Sequence, residues 1–251
     1  MGLSRFLKYA RLESVESRSG HPFDMPVVSW LSQKRELAFP AGATFLVGEN
    51  GSGKSTLVEA IALAAGFNPE GGSRNFRFAT RASESSLGQY LVLGWGPAKP
   101  RTGYFLRAES YYNVATEIER LDRISSDPLL PAYGGISPHE RSHGESFLDL
   151  ATHRFGPNGL YLLDEPEAAL SVRGCMALLA RLADLVKRNC QVVVATHSPI
   201  LLALPGATIL EIGDDGAISR VSYDEALPVR LTREFLAAPE RLLRILLDEE
   251  A

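Results

Sequence analysis

The sequence predicts an α/β protein built on a largely parallel central sheet, and two observations predict it. Most of the short β-type runs are separated by stretches with helical periodicity, an alternation that is typical of parallel sheets. These runs lie at Ala43–Val47, Tyr104–Leu106, Leu160–Leu163, Val192–Thr196 and Thr208–Ile212. The third and fourth runs are apolar throughout rather than alternating, as expected for central strands that are covered on both faces.

Length and composition favour a single domain over residues 1–251. The chain is 45% hydrophobic and 22% charged, which excludes a disordered or collagen-like protein. Lys and Arg number 26 against 30 Asp and Glu, so the chain as a whole is not an electrostatic binder of nucleic acid. No apolar run reaches the roughly 18 residues of a membrane helix, so we expect a soluble, cytoplasmic protein. Cys175 and Cys190 sit among apolar residues, which suits a reducing compartment and predicts that both are buried.

Three regions lie outside the alternating pattern. The opening segment near 7–11 and the late hairpin 209–221, with its Asp-Asp-Gly turn, predict antiparallel strands at the periphery. Between 109 and 155, helical spacing followed by a loop rich in Pro and Gly predicts a small helical subdomain inserted into the α/β core. The C-terminal stretch 232–248 interleaves apolar residues with arginines, which predicts an amphipathic packing helix with a basic, solvated face.

A glycine-rich loop follows the first strand and leads into the strong helix former LVEAIALAA. The loop fits the phosphate-binding pattern GxxxxGK[ST] in its required strand, loop and helix context. Its glycines allow backbone conformations that a Cβ would block, so that successive N–H groups point at phosphate oxygens. Lys54 would supply charge to the terminal phosphates, and Ser55 a hydroxyl to Mg²⁺. The predicted nucleotide-binding residues are Gly48, Glu49, Asn50, Gly51, Ser52, Gly53, Lys54, Ser55 and Thr56.

An acidic pair, Asp164 and Glu165, ends the apolar strand LYLL. Carboxylates at the carboxyl end of a central parallel strand lie where ligands collect in such sheets. Asp164 is therefore predicted to hold the metal, directly or through water, and Glu165 to accept a proton from an attacking water. The alternative for this pair is that it caps the helix that follows.

His197 occupies the corresponding position after the strand VVVAT. A histidine at a strand end is usually structural when it stands alone. Beside a phosphate-binding loop and an acidic pair, however, it comes within reach of a terminal phosphate. We therefore predict Glu165 and His197 as the catalytic residues.

These pieces, in this order, resemble the ABC-type ATPase superfamily over roughly residues 40–200. The segment SHGES, with Ser142, His143, Gly144 and Glu145, looks like a variant of the family signature in which His143 replaces the first glycine. The resemblance implies that these residues complete the site of a partner subunit across an ATP-sandwiched dimer. It also implies that the segment 169–171 matches the family's D-loop and His197 its switch histidine.

The resemblance also implies the activity, which is hydrolysis of Mg-ATP with ATP-driven, head-to-tail homodimerisation. Only 88 residues separate Lys54 from Ser142 (142 − 54), too few for the long coiled coil of chromosome-maintenance and break-repair ATPases. Glu145 and the segment DEPEAAL nevertheless look more like those DNA-associated heads than like transporter subunits, which suggests a role in DNA repair or defence. The alternatives are a nucleotide-binding subunit of an ABC transporter and an ATP switch protein that does not hydrolyse.

Two features of that family are less clear in this chain. The glutamine loop should follow the strand GYFLRAES, where Arg107 and Glu109 stand instead, and Gln89 is the other candidate. An aromatic residue that stacks on adenine should come from the N-terminal region, where Phe23 and Trp30 are candidates that core packing would explain equally well.

The window from Arg74 to Arg107 is locally basic in an otherwise acidic chain. Arginines and lysine alternate there with aromatic residues, a combination that can bind nucleic acid through phosphate contacts and stacking. The simpler interpretation, which the net charge favours, is that some of these arginines face nucleotide phosphates and the rest are solvated. The residues are Arg74, Phe76, Arg77, Phe78, Arg81, Tyr90, Trp95, Lys99, Arg101, Tyr104 and Arg107.

Overall fold

A computed structural model describes residues 3–13, 18–34, 36–74, 86–124, 130–133, 135, 137–140 and 143–247. The strands are β1 (Leu7–Leu12), β2 (Leu37–Ala38), β3 (Ala43–Gly48), β4 (Leu91–Trp95), β5 (Thr102–Arg107), β6 (Gly159–Asp164), β7 (Gln191–Ala195), β8 (Thr208–Ile212) and β9 (Ile218–Val221). The helices are α1 (Pro26–Lys34), α2 (Lys54–Ala64), α3 (Tyr111–Ile124), α4 (His143–Arg154), α5 (Val172–Lys187), α6 (Pro199–Leu202), α7 (Leu227–Ala237) and α8 (Pro239–Leu246). Among these residues no helix is both long and apolar enough to cross a membrane.

The central sheet has the order β5-β6-β7-β3-β8-β9. The first five of these strands are parallel, and β9 pairs with β8 in the antiparallel direction. The predicted α/β class, with a mostly parallel central sheet and a peripheral late hairpin, is therefore confirmed. Strands β6 and β7 are buried at every position, as their unbroken apolar sequences predict.

Two apolar layers cover the two faces of this sheet. Because side chains alternate along a strand, Phe45 and Val47 of β3 belong to one layer, whereas Leu46 belongs to the other. The first layer contains α3 to α6 and the start of α7, and the second contains α1, α2 and the N-terminal strands. Cys175 and Cys190 are both buried in the first layer, as predicted, and burial raises the pKa of each thiol.

The peripheral regions largely follow the predictions. Strand β1 confirms the antiparallel strand predicted near 7–11, and it forms a separate antiparallel sheet with β2 and β4, which were not predicted. In the segment 109–155, helices α3 and α4 bury their apolar faces in the first apolar layer, which covers one face of the central sheet. That the segment acts as an inserted subdomain stays a prediction.

The C-terminal stretch differs from its prediction as a single packing helix. Helix α7 ends at Ala237 and α8 starts at Pro239, because proline cannot continue a helix and excludes helical geometry at Ala238, which has φ −149° and ψ 61°. The packing prediction is also wrong for α8, where no described residue is buried. Its apolar side chains, among them Leu243 and Leu246, face outward.

Candidate functional site

The loop between β3 and α2 is shaped by three glycines with positive φ values. Gly48, Gly51 and Gly53 have φ values of 153°, 82° and 97°, conformations that side-chain-bearing residues rarely adopt. At Gly53 a Cβ atom would also lie 2.5 Å from Cγ1 of Val27, so only glycine fits there. Helix α2 starts directly after Gly53, and the unpaired N–H groups of its first turn add to the positive end of the helix dipole. The loop is therefore shaped for an anion.

Lys54 is buried inside this loop rather than extended into solvent. Its Nζ donates hydrogen bonds to the carbonyl oxygens of Gly48 and Glu49, each at 2.9 Å. Burial lowers the pKa of Lys54, while the nearby carboxylates of Glu165 and Asp164 act in the opposite direction. The ammonium is therefore held between the loop and the acidic strand end.

Strand register brings the acidic strand end beside the loop. Asp164 pairs with Ala195 of β7, and Ala195 pairs with Leu46 of β3, so the three strands end along one edge. Asp164 is 5% exposed, with Ser55 near its carboxylate. Burial raises the pKa of Asp164 to about 6, although the Ser55 hydroxyl and the charge of Arg107 oppose this shift.

The buried carboxylate of Asp164, with Ser55 nearby, fits a magnesium site. Oδ1 of Asp164 is buried and has no hydrogen-bond partner among the described residues. Hydroxyl and carboxylate oxygens are hard ligands, and Mg²⁺ usually takes one or two of them together with phosphate oxygens and water. Ser55 and Asp164 are thus the residues that would hold a metal, and this assignment stays a prediction.

Arg107 is a site residue whose role the sequence analysis missed. It pairs with Asp164 in the register of β5 and β6, and its Nε lies 3.4 Å from Oδ2 of Asp164. Its other nitrogens reach Oε2 of Glu59 on α2 at 3.1 Å and Oε2 of Glu109 at 3.7 Å. The guanidinium group therefore links the carboxylate of Asp164 to α2, the helix that follows the phosphate-binding loop. Its position at a strand end, two residues before Glu109, was the available signal.

The two glutamine-loop candidates occupy different parts of the molecule. Glu109 follows β5 and lies at the site, within 3.7 Å of Arg107. Gln89 is exposed in a short 3-10 turn before β4, which belongs to the other sheet. The geometry thus favours Glu109.

Glu165 and His197 come together at the ends of β6 and β7. Oε1 of Glu165 lies 3.7 Å from Nε2 of His197, which has no hydrogen-bond partner among the described residues. Glu165 has a left-handed backbone, with φ 46°, and its N–H donates to the carbonyl of Ala195 at 3.0 Å. A non-glycine residue in the left-handed conformation has a higher conformational energy, and such strained residues are often found at functional sites. A water molecule or a phosphate could therefore be approached by both side chains.

The signature segment is only partly described. Ser142 and the side chain of His143 lie outside the described residues. Helix α4 begins at His143, and Glu145 lies exposed in its first turn. A Cβ at Gly144 would lie 3.0 Å from the carbonyl oxygen of Ala169, so the small residue lets α4 approach the predicted D-loop.

The remaining predicted residues lie around the loop. Glu49 and Asn50 are exposed at its tip, Thr56 is half-buried in the first turn of α2, and the hydroxyl of Ser52 is buried. Both adenine-stacking candidates are partly buried against the second apolar layer. The ring of Phe23 meets Tyr90 edge-on at 5.5 Å between centroids, which fits the core-packing alternative.

The basic window does not form one continuous surface among the described residues. Arg107 points into the site, whereas Arg74 lies over the rings of Phe67 and Trp95, with its guanidinium carbon 5.2 and 5.7 Å from their centroids. Four members of the window lie outside the described residues: Phe76, Arg77, Phe78 and Arg81. Arg107 contacts three carboxylates rather than a phosphate, so both interpretations of the window stay predictions.

Comparisons with known proteins agree with this geometry. The family described as "AAA domain" matches residues 27–119, and the family described as "AAA domain, putative AbiEii toxin, Type IV TA system" matches residues 85–203. The cytochrome c biogenesis ATP-binding export protein CcmA of Rhodospirillum rubrum is 33% identical over 184 residues, which cover 69% of this chain and 75% of that protein.

Two solved structures are also similar to the chain. The head domain of SMC from Thermotoga maritima is 17% identical, with a TM-score of 0.44 over 87% of this chain and 99% of that one. An ATP-binding subunit of an ABC transporter is 17% identical, with a TM-score of 0.45 over 92% and 93%.

Proposed function

The chain belongs to the ABC-type ATPase family, and from this premise we propose that it binds Mg-ATP in the cytoplasm and hydrolyses the bond to its γ-phosphate. The observation that carries the proposal is the buried carboxylate of Asp164 at the sheet edge beside the buried ammonium of Lys54, which the carbonyl oxygens of the glycine-rich loop hold. One edge of the sheet therefore carries a phosphate-binding loop, a metal-binding pair and a buried positive charge. Together they match what phosphoryl transfer needs, which is positioning and neutralisation of charge.

Each side chain has a distinct part in this reaction. Bound Mg²⁺ supplies charge neutralisation on the phosphate oxygens. Lys54 attracts the terminal phosphates, and the N–H groups of the loop orient them. Glu165 orients and deprotonates the attacking water, and His197 donates a hydrogen bond to the γ-phosphate.

Turnover by the purified protein tests this proposal most directly. Glu165→Gln keeps the size of the side chain but removes the base, so we expect kcat to fall by roughly 100-fold or more with ATP affinity retained. Glu240→Gln is the matched control, because Glu240 lies in the first turn of α8, outside the site. Lys54→Ala should lose ATP binding itself. Wild-type-like turnover in Glu165→Gln would contradict the assignment of the base.

We further propose that ATP joins two copies head to tail, with Ser142, Gly144 and Glu145 completing the partner's site. The start of α4 beside Ala169 supports this idea, because two family segments of a composite site then share one surface. Light scattering on Glu165→Gln should give the 27.3 kDa of one chain without nucleotide and about twice that mass with Mg-ATP. The larger species should disappear when Ser142→Arg is added. A constant mass despite measured ATP binding would exclude the homodimer.

A transporter subunit is the second candidate, because the relative at 33% identity is an ATP-binding export protein. This candidate predicts that the chain co-purifies with a membrane protein and that this partner stimulates its turnover.

A role with DNA predicts instead that the chain binds DNA in a salt-dependent manner and that linear DNA stimulates its turnover. A pure switch predicts tight binding of ATP without turnover.

A further inference from the structure

Glu167 joins the two loops that carry the proposed catalytic residues. It lies in the short 3-10 turn Pro166–Ala169 that follows β6, two residues after Glu165. Its Oε1 accepts a hydrogen bond from Oγ1 of Thr196 at 2.7 Å and another from the backbone N–H of His197 at 2.5 Å. These partners are 29 and 30 residues away in sequence, so the carboxylate connects the end of β6 to the end of β7.

The loop after β7 has a defined partner for each successive N–H group. The N–H of Thr196 donates to the carbonyl of Leu46 at 3.1 Å, and that of His197 donates to Glu167. The N–H of Ser198 donates to Oγ1 of Thr196 at 3.0 Å, and this same hydroxyl donates to Glu167. Thr196 is fully buried. The carboxylate therefore organises this loop both directly and through Thr196.

The other end of the connection is equally constrained. The N–H of Glu165 donates to the carbonyl of Ala195 in β7, and the carbonyl of Glu165 accepts from the N–H of Ala168 at 3.0 Å. These two bonds fix the turn that carries Glu165 and Glu167 against β7. A carboxylate that accepts from a backbone N–H forms a charge-assisted bond, which is stronger than a bond between neutral groups. The distance of 3.7 Å between Glu165 and His197 thus depends on where Glu167 holds the second loop.

We propose that Glu167 is a positioning residue, which sets the imidazole of His197 against Glu165 and the γ-phosphate without touching the nucleotide. This inference rests on the proposed function. Lys54 and Ser55 bind phosphate and metal from a different loop, so Glu167 acts on the rate of the chemical step and leaves ATP affinity intact. The phosphate-binding motif and the positioning carboxylate are in this way separable.

Alanine and glutamine at position 167 test the proposal in turnover assays. We expect Glu167→Ala to lower kcat by roughly 30-fold or more and to change the Kd of ATP by less than about 2-fold. Glu167→Gln retains an oxygen acceptor and should restore kcat to within about 10-fold of wild type. Thr196→Val removes the bond to Glu167, together with the acceptor of the Ser198 N–H, at nearly constant volume and provides a second route if Glu167→Ala does not fold.

Glu225→Ala is the matched control. Glu225 also accepts from one hydroxyl and one backbone N–H, both of Ser222, but it lies in the exposed turn before α7. It should therefore leave kcat unchanged. In a His197→Ala background, Glu167→Ala should lower kcat by a further factor of no more than about 3, since the two residues act together. Full additivity, or a loss of ATP affinity as large as the loss of kcat, would overturn the proposal.

The NMR signal of the His197 ring separates this proposal from the proposed function. The signal is assigned by its loss in His197→Ala and needs neither ATP nor turnover. We expect it to shift in Glu167→Ala but to stay in place in Glu225→Ala. If the wild-type chain fails to hydrolyse ATP and the signal still shifts, the ATPase assignment fails and the positioning by Glu167 stands. An unmoved signal in a folded Glu167→Ala protein would overturn the positioning itself.

Discussion

The carboxyl edge of the central sheet buries charged side chains, whereas the C-terminal helices expose apolar ones. Both regions depart from the usual arrangement of a globular protein, in opposite directions. At the sheet edge, the charged residues Lys54 and Asp164 are buried. In α7 and α8, large apolar side chains such as Leu236 and Leu246 are each 70% exposed. The buried charges have partners from several strands and loops, whereas α8 buries no residue at all.

The difference between these regions shows what an amphipathic pattern determines. Helix α5 and helix α8 both carry an apolar stripe, but α5 packs Leu178, Leu182 and Leu185 against the sheet. The pattern predicts a helix and its apolar face, while burial requires a surface of matching shape within reach. Three substitutions test this comparison.

Leu182→Ala should have the largest effect. Leu182 is fully buried in the first apolar layer, so its truncation removes apolar contacts and leaves a cavity. We expect a loss of about 2–4 kcal/mol in the free energy of unfolding, measured by urea denaturation with an unchanged m-value. A loss below about 1 kcal/mol would mean that α5 is not packed as described.

Asp164→Asn should stabilise the nucleotide-free protein, in a manner that depends on pH. The folded-state pKa of Asp164 is about 6 against an ordinary value of 3.8, so the folded state holds its proton over a range where the unfolded state releases it. Stability therefore falls as pH rises from about 4 to 6, by no more than about 3 kcal/mol.

The comparison of Asp164→Asn with wild type isolates this group from all other titrations. The variant should be more stable by about 1–3 kcal/mol at pH 7.5 and equally stable near pH 4. Asp224→Asn, on an exposed carboxylate outside the site, is the matched control for the change of Asp to Asn. A stability difference between Asp164→Asn and wild type that is the same at both pH values would contradict the role of burial.

Leu246→Ala should have the smallest effect. Its side chain is largely exposed, so we expect a change in the free energy of unfolding within about 0.5 kcal/mol. The chemical change matches that of Leu182→Ala, and the difference between the two values measures the contribution of burial. A loss above about 2 kcal/mol would show that α8 packs against a surface in solution.

Much of the fold and of the site could be predicted because the signals are local. The apolar runs of β6 and β7 identified central strands, and the glycine spacing around Lys54 identified the phosphate loop. The hydroxyl of Ser55 and the carboxylate of Asp164 were assigned to one metal site, and the structure places the two residues near each other, although metal binding itself stays a prediction. Such motifs carry their geometry in neighbouring residues.

The residues that were missed act across the sheet instead. Arg107 reaches Asp164 because β5 and β6 pair in one register, and Glu167 reaches His197 because β6 and β7 are neighbours. The sequence by itself determined the strands of the central sheet, the phosphate loop and the chemical types at the strand ends. Strand order, register and the exposure of α8 were decided by the tertiary structure alone, because they depend on which surfaces meet after the chain has folded.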